Sequence, residues 1–153
     1  MSRIAAHGIE ATLPSGWDGA VFCRTPGPGE STYPIMHAGN FALPSDRGDY
    51  GAGAVESMGS AGVFVALVEH GPQSVSTPLF AQSGLALPLS ARHFNPSGLQ
   101  RVIRGQAGYQ RFFNEAGRAF CVYVVIGSVG NARRLANLAT GLLESVSIGG
   151  VPS

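Results

Sequence analysis

The stretch from Gly105 to Ile126 constrains the fold more than any other part of the chain. It runs Gly-Gln-Ala-Gly-Tyr-Gln-Arg-Phe-Phe, then Asn-Glu-Ala-Gly-Arg, then Ala-Phe-Cys-Val-Tyr-Val-Val-Ile. Two runs rich in aromatic and β-branched residues around a short polar loop with Gly mark a β-hairpin. Asn114 suits the first position of a type I turn. Gly117 suits the left-handed position that closes a three-residue loop with a bulge. That loop sets Phe112 opposite Phe120 and Tyr109 opposite Tyr123, pairs worth roughly 0.2–1 kcal/mol each. The second run is apolar on both faces, which places it inside a sheet covered on both sides.

The rest of the chain supplies further strands. His7 to Leu13 reads as a first strand, Pro14 to Trp17 as a tight turn, and Asp18 to Arg24 as the returning strand of that hairpin. Thr25 to Pro34 holds three Pro and two Gly and reads as a loop. Ile35 to Leu43 reads as a strand ended by Pro44. Ser45 to Gly53 is polar and Gly-rich, and Gly53 to Met58 fits one helical turn. Gly62 to His70 is a second strong strand, continuous and β-branched. Ser74 to Leu89, interrupted by Pro, reads as an ordered loop, and Ser90 to Phe94 as a helical turn or short strand. Asn95-Pro96 reads as a helix start, with Asn95 as cap, and that helix runs to about Ile103. Asn131 caps a clear helix to Glu144, whose Leu135, Leu138, Ala139, Leu142 and Leu143 make one apolar stripe. Ser145 to Ile148 reads as a short last strand. The expected fold class is α+β: a mostly antiparallel β-sheet of about six or seven strands with the long C-terminal helix packed on it.

With 153 residues the chain is expected to form a single domain over 1–153. A net charge of +1 offers no basic patch for nucleic acid. All ten basic residues are Arg, which removes Lys Schiff-base, phosphate-loop and general-base chemistry. The opening Met-Ser-Arg-Ile-Ala-Ala-His-Gly has no apolar signal core, and no run approaches the ~18–20 apolar residues of a membrane span. A soluble, cytoplasmic protein is the expectation. Cys23 and Cys121 are too few for a disulfide scaffold and lie in apparent strands, so both are expected to be buried and unreactive.

Two segments carry a family resemblance. Gly8-Ile-Glu-Ala-Thr-Leu-Pro-Ser-Gly-Trp17 resembles the first hairpin of the PsbP-like family. Arg118 to Gly127, followed by a helix and Leu142-Leu-Glu-Ser-Val146, resembles that family's end. The family is named for an extrinsic subunit of photosystem II, and a Ran-binding nuclear import factor shares its fold. The resemblance covers both ends of the chain and not the middle. It implies an antiparallel sheet flanked by helices and an accessory role beside a larger partner. It carries over no catalytic residue.

Chemistry-bearing residues are sparse. His7, His37, His70 and His93 show no zinc-ligand spacing, and neither HExxH nor CxxC occurs. No GxSxG elbow is present. Gly51-Ala-Gly-Ala lacks the strand and helix context of a dinucleotide site and reads as a flexible loop. No catalytic residue, metal or cofactor is expected. His37 and Asn40, with Asp46 and Asp49 on the following loop, are the candidate ligand residues. Arg111, Glu115 and Arg118 cluster at the central hairpin, either as an anion site or, better, as a surface salt bridge.

Only 12% of residues are charged, which points to exposed neutral surface and a protein interface. Tyr109, Arg111, Glu115 and Arg118 on the hairpin face, or the Thr25–Pro34 loop, are the candidate interaction surface. The expected function is a non-catalytic protein–protein interaction module: an accessory or assembly subunit of a larger complex, or a self-associating chain. The alternative is a small-molecule binder or small enzyme with a cleft near His37.

Overall fold

A computed structural model describes residues 1–150. The fold is α+β, with eight strands in two antiparallel sheets and one α-helix. Strands β3 (Asp18–Phe22), β4 (Ile35–Gly39), β5 (Val63–His70), β6 (Ala107–Glu115) and β7 (Arg118–Ile126) make a five-stranded sheet in the order β3-β4-β5-β7-β6. Strands β1 (Ser2–Ala6), β2 (Ile9–Leu13) and β8 (Ser147–Ile148) make a smaller sheet in the order β1-β2-β8. Helix α1 spans Ala132–Glu144.

Strand β7 has hydrogen-bonded neighbours on both edges, and every residue in it is buried. Its apolar character on both faces is therefore used on both faces. On one side Val122, Val124 and Ile126 join Val63, Val65 and Leu67 of β5 under Leu135, Ala139 and Leu142 of α1. The alternating Ile9, Ala11 and Leu13 of β2 enter the same core. On the other side Phe64, Ala66, Tyr123 and Val125 are covered by loop residues, among them Phe41, Leu43, Tyr50 and Leu99.

Several expectations are corrected. Among the described residues there are eight strands, one beyond the expected six or seven, because Ser2–Ala6 forms an exposed strand without an apolar pattern. The left-handed His7 and Gly8, at φ 53° and 78°, turn it back onto β2. Strands β2 and β3 do not form a hairpin. Both edges of β2 are taken by β1 and β8, so β3 crosses to β4 in the other sheet. Strand β4 stops at Gly39, because the Asn40 side chain replaces the ladder there. Its Oδ1 accepts from Val63 N at 2.7 Å and its Nδ2 donates to Ala61 O at 2.9 Å.

The expected helix from Asn95 to Ile103 is a single 3-10 turn at Pro96–Gly98, with the Asn95 side chain accepting from Ser97 N as its cap. Backbone bonds between Asn95 and Gly108 hold that segment against β6 instead. Asn131 precedes α1 without a side-chain capping bond.

The hairpin register also differs by one residue. Glu115 pairs with Arg118, and only Ala116 and Gly117 turn, both left-handed at φ 55° and 75°. Such a two-residue loop matches the twist of the strands better than a type I turn does. Phe113, not Phe112, therefore faces Phe120, with the rings 5.7 Å apart and stacked. Tyr109 faces Val124, and Tyr123 faces Gln110.

Cys121 is buried as expected, and burial pushes its thiol up to about 11. Cys23 is exposed, since it lies just past the end of β3 and leaves the sheet. Burial and then the charge of Glu69 raise its thiol as well. No helix among the described residues is long and apolar enough to cross a membrane.

Candidate functional site

The loop from Phe41 to Ser57 lies across the second face of the large sheet, and buried polar contacts hold it there. His37 points from β4 into this face with no exposed surface, between the rings of Phe22 and Phe64 at 5.2 and 5.1 Å. Its Nε2 donates to Asp49 O at 2.7 Å and its Nδ1 accepts from Arg47 Nε at 2.8 Å. Those two roles require the neutral ring. Burial chiefly pushes His37 down to about 4, and the guanidinium of Arg47 acts in the same direction. Arg47 also donates to Pro44 O at 2.7 Å, and Arg24 clasps the loop through Arg47 O and the Asp49 carboxylate.

The Gly-rich part of this loop is compact rather than flexible. Gly48 N donates to Ala52 O at 2.8 Å, and Ala54 N and Val55 N both donate to Gly51 O. Gly51 is buried at φ 89°, and a Cβ there would stand 2.5 Å from the Phe64 ring. Only glycine lets the loop sit this close to the sheet.

Between this loop and the segment 99–106 lies a cleft of about 320 Å³. Its apolar walls are Tyr50, Val55, Leu99, Ile103 and Tyr123. The two tyrosine rings meet edge to face, 5.7 Å apart at 77°. Burial pushes Tyr50 up to about 12 and raises Tyr123, so both hydroxyls stay protonated. Tyr123 Oη accepts from Gln100 N at 2.8 Å and so braces the opposite wall. Arg101, largely solvated, pairs with the partly exposed Glu56 at 3.7 Å. Gln106, at the entrance to β6, is 4% exposed. Its Nε2 donates to Val55 O at 2.8 Å, while its Oε1 is buried with no hydrogen-bond partner.

The candidate ligand residues divide. Asp49 lines the cleft, with its carboxylate engaged by Arg24. His37 does not line it; the ring supports the wall from behind. Asn40 terminates β4, and Asp46 is exposed on the loop. The cleft expected near His37 therefore lies one layer further out, beyond Asp49.

The candidate interaction residues are dispersed as well. Arg118 is corrected from surface residue to buried clamp at 2% exposure. Its Nη2 and Nε donate to the two carboxylate oxygens of Glu69 at 2.6 and 3.0 Å, and its Nη1 donates to Gly149 O at 3.2 Å. No salt bridge joins it to Glu115 among the described residues. Arg111 Nε donates to Gly84 O at 2.9 Å, fastening the 80–98 loop along the edge of β6. Tyr109 is half-buried against His93 and Phe94, at 5.8 and 6.0 Å. Glu115 is half-buried at the hairpin end.

Gln106, Tyr50, Leu99 and Ile103 went unnoticed in the sequence because the first belongs to no motif, Tyr50 read as a loop residue, and Leu99 and Ile103 read as part of a helix. A buried-strand entrance that opens Gly-Gln-Ala was the only local sign. Compared with known proteins, the chain matches no family model, no curated protein and no solved structure.

Proposed function

We propose that this chain is a small-molecule-binding module whose ligand seat is the cleft between the 47–56 loop and the 99–106 segment. The observation that carries the reading is Gln106, a buried amide with an unpaired oxygen among the lining residues of a mainly apolar cleft. Concave, mainly apolar sites with one or two placed polar groups are the usual form of a ligand pocket, and about 300 Å³ is the lower end of their range. The residues lining this cleft include no His, Cys, Ser or Lys. Its carboxylates are engaged by Arg24 and Arg101, which favours binding over acid–base or nucleophilic chemistry.

Thermal denaturation against a library of small apolar compounds tests this. Compounds that seat in the cleft raise the melting temperature of the wild type but not of Ala52→Trp, because Ala52 is exposed on the cleft wall and an indole there fills it. Compounds that stabilise both proteins equally bind elsewhere and contradict the proposal.

A second reading, the accessory or assembly subunit that the PsbP-like resemblance implies, is favoured by Val102. It is 71% exposed and stands between the cleft residues Arg101 and Ile103, where a protein partner or second copy would cover it. Sedimentation of wild type and Val102→Asp over a concentration series checks self-association. A wild-type dimer that the variant dissolves supports it, and identical monomers remove it.

A further inference from the structure

We infer that the cleft selects a flat, largely apolar molecule carrying one N–H donor, with Gln106 Oε1 as the acceptor that recognises it. The inference rests on the reading of the cleft as a ligand seat and adds what the seat discriminates. The bond from Gln106 Nε2 to Val55 O decides which end of the amide is which, since a carbonyl only accepts. The oxygen is then the end without a partner. A buried acceptor left unpaired is unfavourable, and the Nε2–Val55 O bond, which accounts for an amide here, leaves the oxygen in that state. The unpaired oxygen is accounted for by a donor that arrives with a ligand. The oxygen itself is covered, so it meets the donor through a turn about the amide's soft terminal torsion, limited by the Nε2–Val55 O bond.

The other walls restrict the rest of the molecule. Tyr50 and Tyr123, set nearly perpendicular, offer one ring face and one ring edge, which suits a planar ring. Val55, Leu99 and Ile103 offer no polar partner. The charged groups of this site are already paired, Glu56 with Arg101 in an exposed position and Asp49 with Arg24. An ionised ligand interior to them would be desolvated without compensation. A fused bicyclic N–H heterocycle matches these features, and the volume of about 320 Å³ admits one.

Indole and benzofuran form the test pair, since they share shape and differ by N–H against O. Calorimetric titration of the full chain is expected to show indole binding about tenfold tighter than benzofuran, the value of one well-placed hydrogen bond to a buried group. Gln106→Leu is expected to bring the two affinities together, and Ala52→Trp to abolish both. At saturation the Gln106 side-chain NH₂ resonances of the wild type should shift further with indole than with benzofuran, a readout that holds even if Gln106→Leu fails to fold. Equal affinities in a wild type whose binding Ala52→Trp abolishes would overturn the donor rule and leave the seat standing. No binding of either probe up to its solubility limit, or binding that Ala52→Trp leaves unchanged, overturns both.

Discussion

His37 shows how a residue that looks functional in the sequence can be a structural part. Its ring needs a bare Nδ1 to accept from Arg47 and an Nε2–H to reach Asp49 O. Protonation would break the first bond and bury a charge beside two guanidinium groups. The folded protein holds His37 near 4 against an ordinary 6.5, so between these values the unfolded chain binds the extra proton. The contribution is whole above pH 6.5 and is lost as pH falls toward 4. It amounts to about 3 kcal/mol. His70, lowered by burial beside Phe80, acts in the same direction. Urea melts over this pH range are expected to show the decline, and a flat profile would contradict the role given to His37. Arg118 is the second such residue. Arg118→Met strands Glu69 and is expected to cost about 3–5 kcal/mol, most of it recovered in the double variant with Glu69→Leu. Equal losses in the single and double variants would mean that the ion pair is not what Arg118 contributes.

At the scale of elements, the two strong strands and the helix were legible because burial shows directly in residue type. Strands β5 and β7 are continuous apolar runs, and α1 buries Leu135, Ala139, Leu142 and Leu143 of the expected stripe. What stayed hidden depends on partners far along the chain. Strand β1 owes its existence to pairing with β2, and nothing in Ser-Arg-Ile-Ala-Ala announces it. The hairpin register turned on whether Asn114 or Glu115 opens the turn, and Ala116, the next residue, is an unusual occupant of a left-handed position. Ala116→Asn is therefore expected to stabilise the protein by about 0.5–1 kcal/mol, since Asn tolerates that backbone better. An unchanged or lowered melt would argue for the longer loop. The cleft was the least legible element. Its walls come from segments about fifty residues apart, and its one polar signal, Gln106, has meaning only once Val55 and Tyr123 are beside it. Gly51→Ala forces a Cβ into the Phe64 ring at a left-handed position. It is expected to cost at least about 2 kcal/mol and to displace the loop that walls the cleft.

Over the whole molecule, the shortage of charge is accounted for by burial rather than by an open apolar surface. The large sheet has an apolar core on each face, one under α1 and β2 and one under the loops. Among the described residues the exposed large hydrophobics are Met1, Leu79, Val102 and Val129, in four separate segments. The two coverings are unequal. The helix-covered face is closed by α1 and β2 together with Leu89 and Phe94 of the segment before β6, and Thr140 Oγ1 accepting from Leu89 N and Ser145 Oγ accepting from Thr12 N tie α1 to its surroundings. The other face is closed by loops held on side-chain bonds, and between them the cleft opens. The proposed binding thus falls on the loop-covered face, where His37 and Gly51 also hold the loop that walls the cleft. Titration of the full chain with indole, followed by amide ¹H–¹⁵N spectra, tests that placement most directly. The account predicts shifts at Tyr50, Val55, Gln106 and Tyr123 and none along Ala132–Glu144. Shifts largest on the helix, or absent at the solubility limit of the probe, would contradict it.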